Sequence, residues 1–463
     1  MGEADCSRPG EHVVVVVGAG AAGVLSAVSL VRASERCRVV LVDPAERPGR
    51  GLAYGTTHPG HLLNVRAGRM SALAERPDHF VDWTAAQGHA VGSADFVSRG
   101  VYGDYLAAVL ARVVETGRVQ VRRAYAVDVE EAADGLRVHT TTGVVAAGAV
   151  VLALGNRPPV HLPWEIDQGG QSWCVPDPWA PGALAGVAVA EPGPPVVLVG
   201  TGLTAVDVAL SLASDAGHGI VAVSRRGLLP ATHLTGPEAV WPTTVPAGDT
   251  ELTTGGLLRL LRSEVAEAAE AGVDWRAVID GVRPAVRGLW ARLPEGERRR
   301  FLRHVARFWD VHRHRMAPQV AARVEGLRAA GRLVVRRGRP VDAVPDGLGC
   351  RVGLRGVDGR VSWMRAAAVV NCTGPRADVA RPPGPLVGAL LHRGLLRPDP
   401  LRLGLDVSAA GEVIGRDGRP HPRLFALGAL RKGRLWESTA IPEIRQQAAD
   451  LAELLVAASR ARA

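Results

Sequence analysis

Two segments of the sequence have the same design, in which a short apolar strand ends in a glycine-rich turn and continues into a helix. The first leads from Val13–Val17 through the turn at Gly18–Gly23 into a helical stretch, Val24–Ala33. The second leads from Val196–Val199 through a similar turn into a helix that ends near Ser214. Each segment predicts a strand, a tight turn and a helix. A strand-turn-helix unit that occurs twice in this way predicts an α/β fold with two parallel sheets.

The first glycine turn has the G-x-G-x-x-G spacing, and an acid, Asp43, ends the next apolar run about twenty residues later. Gly18 allows the tight turn, Gly20 lets backbone N–H groups approach a pyrophosphate, and Gly23 lets the helix pack closely on the strand. The N-terminus of the helix favours an anion, and Asp43 is expected to accept hydrogen bonds from ribose hydroxyls. The alternative, a glycine turn that binds nothing, is disfavoured by the combination of these features. The residues assigned to this dinucleotide site are Gly18, Gly20, Ala21, Ala22, Gly23 and Asp43.

The second turn has the spacing G-x-G-x-x-A, and its following strand ends on Arg225 and Arg226 instead of an acid. An acid at this point would repel a 2′-phosphate, whereas arginine pairs well with phosphate, so the pattern favours NADPH over NADH. The alternative is that both arginines are solvated surface residues of an arginine-rich chain. The residues assigned to this second site are Gly200, Gly202, Leu203, Thr204, Arg225 and Arg226.

Composition excludes several other classes of protein. The chain has 463 residues, of which 47% are hydrophobic and 22% charged, as in a folded protein of two or three domains. The formal charge is +9, but the basic residues are scattered, so we expect anionic small molecules and not nucleic acid as partners. The five cysteines include no Cys-x-x-Cys pair and no metal-ligand spacing, which argues against a redox disulfide and a metal site. Val13–Val17 is too short to span a bilayer and follows no signal-like segment, so we expect a cytoplasmic protein without membrane association.

Several segments resemble the flavoproteins with two dinucleotide-binding domains, and more narrowly an FAD/NAD(P)-binding family within them. The matching segments are Gly49–Gly55 (Gly-Arg-Gly-Leu-Ala-Tyr-Gly), Leu62–Val65, Trp309–Arg315, Val369–Pro375, Leu424–Gly428 and Trp436–Arg445. The resemblance implies two Rossmann-type domains. An FAD domain would comprise residues 1–165 and 370–463, and an NADPH domain residues 185–369, with a helical insert at about 250–330. It also implies flavin contacts from Gly51, Tyr54, Asn64, Gly374 and Gly428.

Within this class the chain resembles the N-hydroxylating monooxygenases, some of which oxidise the amine of aspartate. The resemblance implies that NADPH reduces FAD and that the reduced flavin reacts with molecular oxygen. The resulting C4a-(hydro)peroxide would then oxygenate a small molecule, such as the amine of an amino acid. No catalytic side chain is assigned, because the cofactor supplies the difficult chemistry. The absence of Cys-x-x-Cys disfavours a disulfide reductase, and the stretch Gly170–Trp179 lacks the Phe and His of the Baeyer–Villiger motif.

Two other functions remain open at this point, since one fold serves many activities. One is an FAD-dependent dehydrogenase or reductase that oxygenates nothing, and the other is a non-catalytic cofactor-binding protein. The oligomeric state is also left open.

A dense run of basic residues, His312-Arg313-His314-Arg315, lies at the end of a predicted helix. Arginine forks suit the carboxylate of a substrate. The alternatives are that these residues contact the phosphates of NADPH or only complement the helix dipole. His233 is a weaker candidate, because a histidine in a Pro- and Gly-rich loop is usually solvated.

Overall fold

The computed structural model describes residues 12–165, 173–188, 193–214, 219–236, 241–246, 248, 251–347, 349–381 and 384–461. Cys6, one of the five cysteines, and Gly170, the first residue of the stretch Gly170–Trp179, lie outside the described residues. Within them, no helix is both long enough and apolar enough to cross a membrane.

The strands in chain order are β1 (His12–Val17), β2 (Cys37–Asp43), β3 (Val119–Arg123), β4 (Ala126–Ala132), β5 (Gly135–Thr140), β6 (Gly143–Ala147), β7 (Ala149–Leu152), β8 (Cys174–Val175), β9 (Val196–Val199), β10 (Ile220–Ser224), β11 (Leu333–Arg337), β12 (Arg339–Asp346), β13 (Gly349–Arg355), β14 (Val361–Ala366), β15 (Ala368–Asn371), β16 (Glu412–Ile414) and β17 (Pro420–Ala426).

The α-helices are α1 (Ala21–Ala33), α2 (Gly51–Tyr54), α3 (His79–Ala86), α4 (Arg99–Glu115), α5 (Ala185–Ala188), α6 (Leu203–Ser214), α7 (Thr254–Glu270), α8 (Trp275–Val282), α9 (Val286–Arg292), α10 (Glu295–His304), α11 (Ala306–Arg313), α12 (Pro318–Ala329), α13 (Pro385–Arg393), α14 (Lys432–Leu435) and α15 (Ile441–Arg460). Short 3-10 helices cover Ala67–Arg69, Pro163–Glu165, Arg283–Ala285 and Gly428–Arg431.

The first parallel sheet is assembled from both ends of the described chain. Its strand order is β16-β17-β7-β1-β2-β3, with only β16 antiparallel to its neighbour. Alternate residues of β1 pack on opposite sides: Val14 and Val16 face α1, α4 and α15, whereas Val15 and Val17 face the antiparallel sheet β4-β5-β6. Both faces of this sheet are covered, which is why its strands are continuous apolar runs without alternation.

The second sheet has the order β11-β10-β9-β15-β8, and all its strands are parallel. The antiparallel sheet β12-β13-β14 covers one of its faces. The α/β fold with two Rossmann-type units is therefore confirmed. The domain boundary predicted between residues 369 and 370 lies slightly later in the structure. Strand β15 (Ala368–Asn371) belongs wholly to the second sheet, so the chain leaves this sheet after Asn371.

Helix α1 begins at Ala21, three residues before the predicted Val24, and Gly20 is its N-cap. An added Cβ on Gly23 would collide with the carbonyl oxygen of Gly18, so the helix lies against the turn only because residue 23 is glycine. The early start brings the free N–H groups of the first helical turn directly next to Gly20.

The helical insert contains α7 to α11, and the next helix, α12, has a different role. Helix α12 packs on α6 and β11 and therefore belongs to the second Rossmann unit, inside the range predicted for the insert. The insert has a small apolar core of its own around Trp290, Leu293 and Trp436. Trp436 comes from the segment that follows the first sheet, so this core joins the insert to the first unit.

Candidate functional site

The first glycine turn forms an open cradle. The Cα of Gly51 lies 3.4 Å from the position of a Cβ on Gly20, and no other atom of the described residues beyond the chain neighbours lies within 4 Å of that position. Asp43 accepts hydrogen bonds from the backbone N–H groups of Ala19 at 2.6 Å and Ala45 at 2.8 Å. These bonds fix the carboxylate beside the turn. The cradle has the shape and the backbone donors that a pyrophosphate requires.

Helix α4 holds the segment Gly49–Gly55 against the cradle. Added Cβ atoms on Gly49 and Gly103 would collide, respectively, with the backbone of Ala107 and with the carbonyl oxygen of Tyr54. Small residues on both sides therefore bring this segment close to α4. The ring of Tyr54 packs edge-on against Tyr102, with ring centroids 4.7 Å apart.

The second glycine turn has the same backbone form as the first. Gly200 has φ +126°, and an added Cβ there would collide with the carbonyl oxygen of Cys372 on the neighbouring strand. At Gly202 the nearest atom to an added Cβ is Nη2 of Arg307, at 3.3 Å. Arg307 comes from α11 in the insert, so the insert extends a guanidinium group over the turn at which a second pyrophosphate would bind.

The two arginines at the end of β10 lie in different surroundings. Arg225 is exposed, whereas Arg226 is half-buried with its guanidinium 4.5 Å from the ring centroid of Phe308. Arg226 also donates to the carbonyl oxygen of His304 at 3.4 Å. Arg225 matches the expected surface position for a phosphate ligand, and Arg226 in addition attaches the insert to β10.

A polar cleft of about 310 Å³ lies between the first unit and the end of helix α11 of the insert. Its lining brings together most of the remaining predicted contacts, since it includes Tyr54, Asn64, Arg313 and His314. Gly374 and Gly428 lie one residue before the lining residues Pro375 and Ala429, and the N–H of Gly428 donates to Gln447 Oε1 at 3.1 Å. The lining residues not predicted from the sequence include Arg99, Arg157, Arg376, Asp310, Lys432, Glu437, Ser438 and Glu443.

The basic run at 312–315 does not form one cluster. Arg313 donates from Nε and Nη2 to Glu437 at 3.0–3.1 Å, and Arg315, 2% exposed, donates from Nη2 to both oxygens of Asp280 at 2.6 Å. Both guanidinium groups are thus already paired with carboxylates of the protein. The structure therefore does not bring Arg313 and Arg315 into one cluster, because Arg313 ends helix α11 and Arg315 lies in the segment that follows it.

The two histidines of the run, His312 and His314, also lie in different surroundings. His312 is exposed, donates from Nδ1 to the carbonyl oxygen of Phe308 at 2.7 Å, and packs against Trp275 with ring centroids 5.0 Å apart. His314 lines the cleft, and burial followed by the nearby Arg313 and Lys432 lowers its pKa to about 3. His314 is therefore neutral at pH 7.

Asp310 is one of the cleft residues that sequence reasoning missed. Within the described part of the chain its carboxylate makes no hydrogen bond, and the nearest cation in contact is Nη1 of Arg307 at 3.9 Å. Burial raises the pKa of Asp310, against the influence of Lys432 and Arg307. The available signal was its spacing, because Asp310 lies three residues before Arg313 on the same face of α11.

Several buried polar atoms around the cleft have no partner among the described residues. They are Arg99 Nε, Arg376 Nε, Ser438 Oγ and Glu443 Oε2. Buried polar groups are normally hydrogen-bonded, and unpaired ones require an explanation. A bound polar ligand would satisfy them, which fits a site built for a flavin and its substrate.

The two units are joined beside the cleft by a buried polar contact. Arg99 donates to Asp207 at 2.7 Å, and His61 Nε2 lies 2.9 Å from Ser211 Oγ and 3.1 Å from the carbonyl oxygen of Asp207. His233, expected to be solvated, instead bonds to the carbonyl oxygen of Asn64 at 3.1 Å and contacts Phe96. His233 therefore couples the loop after β10 to a predicted flavin contact.

None of the described cysteines lines the cleft. Cys37, Cys174, Cys350 and Cys372 are free, and burial raises the pKa of each thiol. A thiol with a raised pKa is a poor nucleophile. The described residues thus offer no thiol pair for exchange with a flavin.

A known protein family matches the part of the chain that contains the first glycine turn. Residues 15–157 match a family model described as FAD-NAD(P)-binding. No curated protein sequence matches the chain significantly. This segment contains Gly18, Gly20, Gly23, Asp43, Gly51, Tyr54 and Asn64.

Solved structures with the same fold cover nearly the whole chain. An L-lysine 6-monooxygenase from Pseudomonas syringae has a TM-score of 0.68 at 16% identity, covering 96% of this chain and 99% of that one. A Kutzneria ornithine N-hydroxylase, solved with reduced FAD, NADP+ and L-ornithine, has a TM-score of 0.65 at 14% identity, covering 98% and 99%. A thioredoxin reductase from T. acidophilum has a TM-score of 0.52 at 14% identity, covering 97% and 100%.

The fold is that of the flavoproteins with two dinucleotide-binding domains. Within it, residues 15–157 are similar to the FAD-NAD(P)-binding family.

Proposed function

We propose that the chain is an NADPH-dependent flavin monooxygenase that oxygenates the nitrogen of an amine. The observation that carries the proposal is the polar cleft, which lies between the first Rossmann unit and helix α11 of the insert and contains a carboxylate, Asp310, without a hydrogen-bond partner among the described residues. A carboxylate in this state suits a cationic amine. The structural neighbours that act on lysine and ornithine support the same substrate class.

FAD would be held by the first glycine turn, with its pyrophosphate at Gly20 and the first turn of α1, its ribose at Asp43, and its ring system towards Tyr54 and Asn64. When bound, FAD supplies the hydride acceptance from NADPH and the activation of oxygen. NADPH would bind at Gly200 and Gly202. The overall reaction consumes one amine, one O2, one NADPH and one proton, and gives a hydroxylamine, NADP+ and water.

Arg307 and Arg225 would divide the recognition of NADPH between them. Arg307 lies over Gly202, where the pyrophosphate common to both nicotinamide cofactors would bind. Arg225 lies at the end of β10, where the 2′-phosphate would bind. This division gives each arginine a separate kinetic consequence.

Asp310 would hold the ammonium group of the substrate and accept its proton, so that the nitrogen lone pair is free to react. Its raised pKa makes it a better base than an ordinary aspartate. His314 is less suited to this role, because its pKa of about 3 makes it a very weak base. The narrower proposal, that the substrate is an amino acid, needs a carboxylate partner, and Arg376 with its unpaired buried Nε is available.

The decisive experiment follows NADPH and oxygen consumption by the FAD-loaded protein with a panel of amines that includes lysine, ornithine and aspartate. We expect one class of amine to stimulate NADPH oxidation and to yield a hydroxylamine with little hydrogen peroxide. NADPH oxidation that yields only peroxide for every amine would indicate a reductase or oxidase instead. Absence of any NADPH oxidation would leave only a cofactor-binding role.

A further inference from the structure

Helix α11 is attached to both Rossmann units. Near its start, the ring centroid of Phe308 lies 4.5 Å from the guanidinium of Arg226, which follows β10 in the second unit. At its end, Arg313 pairs with Glu437 of the first unit, and Trp309 donates its Nε1–H to Glu437 Oε1 at 3.1 Å. The side chains between these attachments are therefore positioned relative to both units.

The guanidinium group of Arg307 lies between the second glycine turn and the cleft. Among the described residues, the three atoms nearest to an added Cβ on Gly202 all belong to this group, with Nη2 at 3.3 Å, Nη1 at 3.7 Å and Cζ at 4.0 Å. Its Nη1 also lies 3.9 Å from Oδ2 of Asp310, which lines the cleft. One cation therefore faces both the turn at which the cofactor pyrophosphate would bind and the carboxylate proposed to hold the amine.

The contact between Arg307 and Asp310 is loose. The two side chains are 38% and 35% exposed, and their separation of 3.9 Å is longer than a hydrogen bond. Ion pairs that are partly exposed contribute little, because water screens the attraction. A pyrophosphate has two charges and several acceptor oxygens, so it is the stronger partner for a guanidinium group. A pyrophosphate at the second glycine turn should therefore draw Arg307 away from Asp310.

A second cation, Lys432, also acts on Asp310. Burial raises the pKa of Asp310, and Lys432 and Arg307 both act against this rise. Lys432 lines the cleft and lies with Nζ 5.0 Å from the ring centroid of Trp436. Of these two cations, Arg307 is the one whose guanidinium lies at Gly202, so its charge beside Asp310 is the one that a bound cofactor would change.

We propose that Arg307 is a positioning residue that links the two sites, pairing with Asp310 when no nicotinamide cofactor is bound and with the pyrophosphate when it is. A cationic amine beside Asp310 is disfavoured while the positive charge of Arg307 remains there, and is favoured once the pyrophosphate has neutralised it. The amine part of the inference rests on the proposed function. By linkage, the amine and the nicotinamide cofactor should each tighten the binding of the other.

The first test requires no substrate. It measures, by calorimetry, the binding of 2′-phospho-ADP-ribose, which has the phosphates of NADPH but no nicotinamide, to the FAD-loaded protein. Asp310→Asn should tighten this binding about fivefold, because Arg307 no longer has a competing carboxylate partner. Arg307→Ala should weaken it about tenfold, and in that background Asp310→Asn should change the affinity by less than about twofold.

Arg303→Ala is the matched control for loss of a positive charge from the insert, since Arg303 is exposed on the neighbouring helix α10. It should leave the affinity for 2′-phospho-ADP-ribose and the effect of Asp310→Asn unchanged. An effect of Asp310→Asn that persists in full without Arg307 would be a general effect of charge and would overturn the proposal. So would the absence of any effect of Asp310→Asn when Arg307 is present.

The second test titrates lysine, ornithine and n-butylamine into the FAD-loaded protein with and without saturating 2′-phospho-ADP-ribose. We expect an amine that binds to do so about tenfold more tightly when 2′-phospho-ADP-ribose is present. Arg307→Ala should bind this amine without 2′-phospho-ADP-ribose nearly as tightly as the unmodified protein does with it. A variant that is merely damaged would bind the amine more weakly, so a gain in affinity distinguishes positioning from misfolding.

The outcomes separate the inference from the proposed function. Equal amine binding with and without 2′-phospho-ADP-ribose would overturn the inference, even if a hydroxylamine is formed in turnover. Failure of the unmodified protein to bind 2′-phospho-ADP-ribose would also overturn it, since no ligand would then attract Arg307. Coupling of Arg307 and Asp310 in the first test, without binding of any amine in the second, would support the shared guanidinium and contradict the proposed function.

Discussion

Arg313 and Glu437 form an ion pair in the wall of the cleft, with both side chains 9% exposed and Nη2 of Arg313 3.0 Å from Oε2 of Glu437. The pair links the end of α11 to the segment before α15, so it connects the insert with the first unit beside the cleft. A buried pair of this kind contributes more to position than to net stability, because desolvation offsets the attraction.

Removal of one partner should therefore be costly. Arg313→Ala leaves an unpaired carboxylate and should lower the free energy of unfolding by about 3 kcal/mol. The double variant Arg313→Gln, Glu437→Gln should recover much of this loss, as measured by denaturant unfolding. If Arg313→Ala instead unfolds like the unmodified protein and only raises the KM of carboxylated substrates, Arg313 binds substrate after all.

Gly20→Val should abolish FAD binding without preventing folding. Gly20 has φ −76° and ψ −169°, which valine adopts without strain, so the main conflict is between the new methyl groups and the pyrophosphate. FAD content is measured from the visible absorbance of the purified protein. Gly326→Val, at a helical glycine with no atom within 4 Å of an added Cβ, is the control and should retain FAD.

The arginines near the second glycine turn should affect the KM values for NADPH and NADH differently. Arg225→Ala should raise the KM for NADPH about tenfold or more and leave that for NADH nearly unchanged, because only the 2′-phosphate contact is lost. Arg226 is left in place, because it also attaches the insert to β10 through Phe308 and His304. Arg307→Ala should raise both KM values alike, since the pyrophosphate is common to both cofactors. Equal use of NADH and NADPH by the unmodified protein would contradict the first assignment, and an effect of Arg307→Ala on one cofactor alone would contradict the second.

The contact between the units should depend on pH through His61. Burial, followed by Arg99, lowers the pKa of His61 to about 4, so its stabilising contribution is complete above pH 6.5 and is lost as the pH falls towards 4. Between pH 7 and pH 5 this loss is about 2 kcal/mol. Asp207 acts oppositely, because burial raises its pKa to about 6 and its contribution is lost as the pH rises through that value.

The variant His61→Gln tests this balance. Without the histidine, acidification from pH 7 to pH 5 should destabilise the protein less than it destabilises the unmodified chain, as measured from thermal unfolding midpoints. The exposed His89, substituted in the same way, should leave the pH dependence unchanged. An identical dependence in His61→Gln and in the unmodified protein would contradict the assignment.

The sequence alone determined the two Rossmann units and the position of the first dinucleotide site. Both depend on local patterns, namely a buried strand, a glycine spacing and a following helix, and these act between residues close in the chain. The segment Gly49–Gly55 and the return of β17 to the first sheet were likewise readable from contiguous motifs. The antiparallel sheets β4-β5-β6 and β12-β13-β14 were missed, because their strands carry polar and partly exposed residues and form no continuous apolar run.

Only the tertiary structure decided which side chains of α11 meet which partner. Arg313 and Arg315 look equivalent in sequence, yet one pairs with Glu437, more than a hundred residues away, and the other with Asp280. Asp310 became visible for the same reason: it lines the cleft because α11 packs beside Trp436 and Glu437. Long-range pairing of charges and the space left between helices depend on the packed arrangement, which no local pattern records.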